Sequence, residues 1–279
     1  MSVVSKPMID LHSHILPGID DGATDMVQSL EMARIYEDVG FRQVVATPHW
    51  MPGTSWVPAP LDIRKKVAAL NRAIKGQGIA LTVYPGMEIS LDVEIPRFLK
   101  DQRLQPLAGG AFLLIELPFQ WLPVGWEEIL FRGLANGYRV LLAHPERCGP
   151  LAENTDRFEE LGRAGVFFQV NWGSILGAYG PEAMEIAEWL AGKGHIHCLA
   201  TDCHDPLKRH ARVVGKAAEK FSDIIGEKNL KLLAEENPAR VLQGRKLENM
   251  DAACIREKPV KKKGLWRRVA GKLLSRNTN

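Results

Sequence analysis

Short segments that end in a histidine or a carboxylate recur along this chain of 279 residues, and most of them begin with an apolar run. Their sequences are Asp10-Leu11-His12-Ser13-His14, Asp20-Asp21-Gly22, Ala46-Thr47-Pro48-His49, Gly86-Met87-Glu88, Leu114-Ile115-Glu116, Leu141-Leu142-Ala143-His144 and Ala200-Thr201-Asp202-Cys203-His204. The apolar runs are typical of buried parallel strands, whose carboxyl ends meet on one face of an α/β barrel. Because imidazoles and carboxylates bind divalent metal ions, the pattern predicts a multinuclear metal site on that face.

Strand and helix signals alternate along the chain. The predicted strands are Met8–His12, Gln43–Ala46, Ile79–Val83, Phe112–Ile115, Arg139–Ala143, Val166–Val170 and Ile196–Ala200. The predicted helices are Thr24–Val39, Leu61–Lys75, 92–100, 126–136, 155–164, 180–192, 208–221 and 227–234. Parallel strands with crossover helices predict an α/β fold, a distorted (β/α)7 TIM-like barrel. A doubly wound sheet is disfavoured because no glycine-rich phosphate loop follows the first strand.

A basic segment follows the part of the chain that shows strand and helix periodicity. The pattern ends near residue 246, which predicts a catalytic domain over 1–246 and a tail over 247–279. Leu265, Trp266, Val269 and Leu273 recur at helical spacing among many lysines and arginines. This is typical of a basic amphipathic helix that lies on an anionic membrane surface. A disordered solubilising tail, or a helix that docks on the barrel or on a partner, is an equally open interpretation.

Composition limits the other function classes. The net charge is +3, and the chain without its tail is mildly acidic, so nucleic-acid binding is not indicated. No apolar run approaches the roughly 20 residues of a membrane span, and the amino terminus lacks a signal-peptide core. The four cysteines show no paired spacing, so we expect a cytoplasmic protein, with the tail allowing peripheral contact with the inner membrane.

The residue spacing within two segments strengthens the metal interpretation. His12 and His14 stand at i and i+2 of an extended segment, so both rings point to the same side, and Asp202 and His204 repeat that spacing at the last strand. A buried carboxylate without a cation is costly, which applies to Glu88 and Glu116 at the ends of apolar strands. A single histidine is more often structural, and Asp20-Asp21 alone reads as a turn, but the whole series favours metal binding.

In order and spacing, these residues resemble the metal signature of the PHP (polymerase and histidinol phosphatase) superfamily. The stretches HSHILPGIDDGATD, TPHW, GMEI, IELP, AHPER and ATDCH are similar to those of bacterial metal-dependent protein-tyrosine phosphatases of capsule and exopolysaccharide gene clusters. The resemblance covers residues 8–243. It implies a PHP fold with three divalent metal ions, commonly manganese, with iron, cobalt or zinc as alternatives. It also implies a phosphotyrosine protein as substrate, namely a membrane tyrosine autokinase of polysaccharide export.

The resemblance assigns nine residues to three metal ions, with Glu88 bridging the first two. The ligands are His12, His14, Glu88 and Asp202 for the first ion, Glu116 and His144 for the second, and Asp21, His49 and His204 for the third. It further implies that Arg147 and Arg209 bind the phosphate, because guanidinium groups make bidentate phosphate contacts. A surface salt bridge is the alternative interpretation for either arginine.

Other functions and mechanisms are compatible with parts of this pattern. A small-molecule phosphomonoesterase, such as a histidinol-phosphate phosphatase, would use the same metals, and a non-catalytic binding module is a third class. The segment from Cys203 to Arg209 matches the C-x5-R spacing of cysteine-dependent phosphatases. It lacks glycine, however, and Pro206 removes a backbone N–H that a phosphate cradle requires, so we reject the thiol mechanism. The loops 50–60 and 117–126, rich in tryptophan and proline, are predicted to overhang the site.

Overall fold

The computed structural model describes residues 7–135 and 137–256, which form an α/β fold with parallel sheets. The strands are β1 (Met8–Ser13), β2 (Phe41–Ala46), β3 (His49–Trp50), β4 (Thr82–Pro85), β5 (Glu88–Ser90), β6 (Phe112–Glu116), β7 (Arg139–Ala143), β8 (Phe167–Asn171) and β9 (Cys198–Ala200). The α-helices are α1 (Met26–Asp38), α2 (Pro60–Gly76), α3 (Ile95–Lys100), α4 (Trp126–Ala135), α5 (Gly149–Glu153), α6 (Asp156–Arg163), α7 (Pro181–Lys193), α8 (Val214–Lys231) and α9 (Asn237–Leu242). Each predicted strand overlaps an observed one.

The strands form two parallel sheets that adjoin at both edges. Their orders are β1-β2-β4 and β3-β5-β6-β7-β8-β9. At one edge, β2 continues into β3 and β4 continues into β5 after only two residues each. Thr47-Pro48 separates the first pair, where proline lacks the N–H of a ladder. At the other edge, the backbone N–H of Asp202 donates to the carbonyl oxygen of His12 (3.0 Å), and the backbone N–H of His14 donates to that of Cys203 (2.8 Å).

Two sets of buried side chains alternate along the central strands. In β6, Leu113 and Ile115 belong to the large core beneath the helices, whereas Phe112 and Leu114 belong to a smaller second cluster. That second cluster draws residues from both sheets, including Ile9 and Leu11 of β1 together with Leu141 of β7. Burial on both faces explains why the strands read as continuous apolar runs.

The helical prediction after the last strand was partly wrong. The predicted helix 208–221 begins only at Val214, because the carboxylate of Asp205 accepts the backbone N–H groups of Leu207, Lys208 and Arg209 and holds them in a turn. Helix α8 then continues to Lys231, with non-helical dihedral angles at Gly226. A π-helical turn, Leu232–Glu236, joins it to α9.

Residues 247–256, at the start of the predicted tail, lie against the body of the fold. Leu247 and Met250 are buried, and the Asn237 side chain bonds both backbone groups of Glu248. The predicted amphipathic segment of the tail lies outside the described residues. In the part of the chain that the structure describes, no helix combines the length and apolar character needed to cross a bilayer.

Candidate metal centre

His12 and His14, at the end of β1, turn their Nε2 atoms toward one point. These two atoms are 3.2 Å apart. The Nδ1 atom of His12 lies 2.9 Å from Gln169 Oε1, and that of His14 lies 2.7 Å from Asp20 Oδ2. Because these oxygens accept hydrogen bonds, each ring keeps a proton on Nδ1, which leaves Nε2 as the atom that can bind a metal ion once it is deprotonated. This is how a second shell of residues prepares histidines for metal binding.

Glu88, the first residue of β5, lies at the centre of the cluster. Its Oε2 atom is 3.3 Å from the Nε2 atoms of both His12 and His14 and 2.9 Å from His49 Nδ1. Its other oxygen is 2.9 Å from His144 Nε2. Oε2 is buried, and three imidazole nitrogens face it, the nearest being His49 Nδ1. A buried carboxylate oxygen faced by imidazole nitrogens fits a cation site, since ligands of one zinc-sized ion stand about 3.0–3.4 Å apart.

Asp202 joins this cluster from a strained backbone position after β9. Its Oδ1 atom is 3.6 Å from the Nε2 atoms of His12 and of His14. The φ angle of Asp202 is +52°, and that of His144 is +29°, in the left-handed region that few non-glycine residues adopt. The prediction that Asp202 and His204 share an extended i, i+2 geometry was therefore wrong. His204 instead folds back so that its Nδ1–H donates to the Asp202 carbonyl oxygen (2.9 Å).

A third group of side chains opens toward the surface. His49 and His204 both direct Nε2 at Asp21 Oδ1, at 3.3 and 3.4 Å. The Asp21 side chain is 40% exposed, whereas both imidazoles are largely buried. Gly22 makes this arrangement possible, because a Cβ atom there would lie 2.1 Å from the carbonyl oxygen of His14.

All nine predicted ligands lie in this one region of the fold. The candidate groups, whose ligand atoms lie within 4.8 Å of one another, are His14, Asp21, His49 and His204; His12, Glu88 and His144; His12, His14 and Asp202; and His49, Glu88 and Glu116. Several residues belong to two groups, which fits ions that share ligands. The donors are nitrogen and oxygen atoms, suited to first-row divalent ions.

The electrostatics of the site depend on burial and on close pairs of opposite charge. Burial would lower the pKa of His14, but the charge of Asp20 and its hydrogen bond raise it to about 9. Burial and the negative charge of Glu88 raise the pKa of Glu116 to about 8. For His144, burial lowers the pKa to about 4. Such displaced pKa values are typical of functional sites.

Arg147 and Arg209 lie beside the cluster and bind the same carboxylate oxygen. Asp202 Oδ2 accepts hydrogen bonds from Arg147 Nη1 at 3.0 Å and from Arg209 Nη2 at 2.6 Å. Their side chains are 19% and 33% exposed. Arg209 Nε is buried and has no described hydrogen-bond partner. The two positive groups therefore stand next to the candidate metal positions.

A family model for capsular polysaccharide synthesis proteins, CpsB/CapC, matches residues 8–243. The chain belongs to the CpsB/CapC family. It is 34% identical to the tyrosine-protein phosphatase YwqE of Bacillus subtilis over 203 residues, which cover 73% of this chain and 80% of YwqE. It is 27% identical over 205 residues to the putative tyrosine-protein phosphatase CapC of Staphylococcus aureus, covering 72% of this chain and 79% of CapC.

One structure from a crystallographic study of YwqE of Bacillus subtilis and CpsB of Streptococcus pneumoniae superimposes on this chain with a TM-score of 0.82. The two chains are 30% identical, and the match covers 90% of this chain and 100% of the other. That work describes both proteins as metal-dependent tyrosine phosphatases. The predicted resemblance to capsule-type tyrosine phosphatases is confirmed at the level of the family.

The C-x5-R segment of this CpsB/CapC chain is not built to hold phosphate. Cys203 is buried, and burial raises the pKa of its thiol above the ordinary value. The backbone N–H groups of residues 207 to 209 already donate to the Asp205 carboxylate. A phosphate cradle requires both free N–H donors and an acidic thiol, so this geometry opposes a cysteine mechanism.

Four residues around the ligands were not assigned a role from sequence. Asp20 orients His14 and also accepts the backbone N–H of His49 (3.0 Å). Gln169 holds His12 and donates to Asn171 Oδ1 (2.7 Å), and Asn171 donates to Asp202 Oδ2 (2.9 Å). Tyr179 lies against Arg147. Gln169 and Asn171 alternate within the apolar strand β8, and this i, i+2 polar pair was the available signal.

The two predicted overhanging loops supply aromatic rings only in part. Trp56 stacks on His49, with centroids 5.2 Å apart and planes inclined by 15°. Phe119 lies 5.7 Å from the His144 ring and 4.4 Å from the Arg147 guanidinium carbon. Trp50, by contrast, is buried in the core, so its side chain cannot line the opening as predicted.

Proposed function

We propose that this chain is a metal-dependent protein-tyrosine phosphatase. The observation that carries the proposal is that nine residues with nitrogen or oxygen ligand atoms lie in one cluster, where two arginines also bind Asp202. Family membership and the names of the relatives support the same conclusion. Phosphate-ester hydrolysis depends mainly on positioning and on neutralising the oxygens of the phosphoryl group, which is what such a site provides.

We assign three divalent ions, manganese by preference, to the ligand groups. Glu88 would serve as a ligand to both of the first two ions, because its two oxygens face different histidines. Bound ions would neutralise phosphate charge and lower the pKa of a water molecule toward neutrality. Asp20 and Gln169 hold the His14 and His12 rings in the metal-binding tautomer.

The arginines bind and orient the phosphate. Both guanidinium groups keep N–H donors beyond the one that each gives to Asp202, and Arg209 Nε lacks a described partner. Charge-assisted contacts to phosphate oxygens would use those donors. Trp56 and Phe119 offer aromatic faces near His49 and Arg147 for the phenyl ring of phosphotyrosine. Because a phenolate leaves readily, the reaction needs little help from a general acid.

The physiological substrate that we propose is a membrane tyrosine autokinase of capsule or exopolysaccharide synthesis. The family description and the names of the relatives support this class of substrate. The basic tail would then keep the enzyme near that membrane. Co-sedimentation with anionic vesicles at low salt, comparing the full chain with a chain that ends at Arg256, tests the tail. Equal binding of the two would exclude it as an anchor.

We also propose that the two sheets act as one distorted seven-stranded barrel. Three observations support this arrangement. Strand β2 continues into β3 and β4 into β5, the residues at the end of β1 hydrogen-bond to residues 202–203, and the second cluster of buried side chains is shared by both sheets. Strand ends arranged in a ring explain how ligands from distant parts of the sequence reach one site.

A substrate panel tests the activity. Phosphotyrosyl peptide, phosphoseryl peptide and histidinol phosphate are compared at equal concentrations with manganese-loaded protein, and we expect the phosphotyrosyl peptide to be hydrolysed fastest. Removing the metal with a chelator should abolish turnover, and adding manganese back should restore it. Preference for histidinol phosphate would instead indicate a small-molecule phosphomonoesterase. Full activity in demetallated protein would overturn the metal assignment.

A further inference from the structure

Tyr179 lies against both arginines of the site, although it contributes no ligand atom to the cluster. The guanidinium carbon of Arg147 lies 4.4 Å from the centroid of the Tyr179 ring and equally 4.4 Å from that of Phe119. The guanidinium carbon of Arg209 lies 5.9 Å from the same tyrosine ring. The Tyr179 hydroxyl also interacts with the Arg209 guanidinium. One ring thus contacts both phosphate-binding groups.

The loop that carries Tyr179 is firmly attached to the body of the fold. It leaves β8 through Trp172, whose side chain is buried and whose backbone N–H donates to the carbonyl oxygen of Ala200 (2.9 Å). Ser174 Oγ donates to the buried carboxylate of Glu146 at 2.6 Å. The Tyr179 ring packs near Gly173 of the same loop, where a Cβ atom would stand 3.3 Å from Tyr179 Cε2. The loop is therefore tied to the body of the fold, and the ring lies against the loop.

Stacking on an aromatic face has a particular consequence for an arginine. It stabilises the flat face of the guanidinium and leaves the N–H groups at its edge free to donate. Arg147 uses one of those donors for Asp202. Without the ring, the side chain of Arg147 would regain rotamer freedom that phosphate binding must then remove.

We infer that Tyr179 is a positioning residue, which holds Arg147 and Arg209 in the geometry that receives the phosphate. The inference rests on the proposed function in one respect, namely that the anion bound by the two arginines is the phosphoryl group of the substrate. Tyr179 acts through the arginines. Replacing it should therefore weaken phosphate binding while leaving the metal ligands and the metal content unchanged.

The experiment compares Tyr179→Leu with Tyr179→Phe in the full-length, manganese-loaded protein. Binding of inorganic phosphate is measured by calorimetry, together with KM and kcat for a phosphotyrosyl peptide. Tyr179→Leu should weaken phosphate binding roughly tenfold, which lies between the values for an exposed and a desolvated cation–π contact, with most of the catalytic loss in KM. Tyr179→Phe keeps the ring and should restore most of the affinity. Tyr138→Leu removes a partly buried tyrosine ring outside the site and serves as the matched control.

A double-mutant cycle separates positioning from a general structural effect. In an Arg147→Ala background, Tyr179→Leu should weaken phosphate binding much less than it does alone. Additive losses, or a Tyr179→Phe variant as defective as Tyr179→Leu, would overturn the role assigned to the ring. So would wild-type phosphate affinity in Tyr179→Leu. If the wild-type protein hydrolysed no phosphotyrosyl peptide, the proposed function would fail, but phosphate calorimetry would still decide the role of Tyr179.

Discussion

Replacing Gln169 with leucine should weaken metal binding, although Gln169 touches no metal in the proposed assignment. Its carbonyl oxygen accepts the Nδ1–H of His12 at 2.9 Å, and its amide donates to Asn171 Oδ1 at 2.7 Å. Asn171 in turn donates to Asp202 Oδ2. One buried amide therefore helps to orient two first-ion ligands, and leucine is close to it in size but cannot hydrogen-bond.

Two magnitudes follow from these contacts. Loss of a hydrogen bond that orients a metal-binding histidine typically reduces metal affinity about 10- to 100-fold, which is about 1.4–2.8 kcal/mol. In addition, His12 Nδ1–H loses its acceptor and Asn171 Oδ1 loses its donor inside the protein. Each buried unsatisfied group costs about 1–3 kcal/mol, so the metal-free protein should also lose stability.

Manganese affinity is measured by competition with a chromophoric chelator, and stability by urea denaturation of the metal-free protein. Gln105→Leu is the matched control, because Gln105 is also buried and its side chain bonds Arg64 (2.8 Å) outside the cluster. The control should lose stability and keep its manganese affinity. If Gln169→Leu binds manganese within twofold of wild type, or no worse than the control does, the proposed second shell is wrong.

Three further outcomes are expected. Arg147→Ala and Arg209→Ala should retain the metal content of the wild-type protein but weaken phosphate binding, or the stabilisation of the transition state, by about 2–5 kcal/mol. Metal analysis together with kinetics checks this, and wild-type turnover would contradict it. Cys203→Ser should leave phosphotyrosine hydrolysis nearly unchanged, since the thiol is buried and its pKa is raised; a large loss of activity in a correctly folded variant would revive the thiol mechanism. Burial would lower the pKa of His49, but its hydrogen bonds to Asp21 and Glu88 raise that pKa to about 11. The pKa of His14 is raised to about 9 by Asp20. Both rings are therefore protonated at pH 7 when no metal is bound. Manganese must displace those protons, so its affinity should rise from pH 6 to pH 8 with proton release to an indicator dye, and a pH-independent affinity would refute this.

The sequence could indicate which residues meet in this cluster because most of them stand at or just after a strand end, and the order of strand ends around the site follows the order of the chain. Glu88 and His144 illustrate this, since both are marked locally by an apolar run and meet only because the parallel strands adjoin. Asp21, by contrast, lies in the turn between β1 and α1. The extended geometry of His12 and His14 follows from strand periodicity alone.

The sequence was less informative where a residue acts through a distant partner or an unusual backbone. Gln169 bonds His12 across 157 residues of chain. The polar pair that Gln169 forms with Asn171 in an apolar strand marks both residues, but nothing in the sequence indicates that His12 is the partner. The left-handed conformation of Asp202 depends on surrounding contacts. Thr201 N–H and Oγ1–H both donate to the buried Asp10 carboxylate, which binds the last strand to the first. Local propensity argues against such a conformation, and only the tertiary contacts maintain it.

The atoms that face one another in this cluster also show why a cation suits the site better than protons do. The Nδ1 atoms of His12 and His14 carry protons for Gln169 and Asp20, so one further proton can bridge the two facing Nε2 atoms, 3.2 Å apart. That proton serves the two nitrogens and not Glu88 Oε2, which is 3.3 Å from both and is left to the ring of His49, whose Nδ1 lies 2.9 Å away. A divalent cation can contact both nitrogens and the carboxylate together, whereas a proton serves only two atoms. The nitrogen and oxygen atoms that favour a cation also bind protons, so the two compete for the same atoms. The affinity for metal and the pH dependence of that affinity therefore have one structural cause.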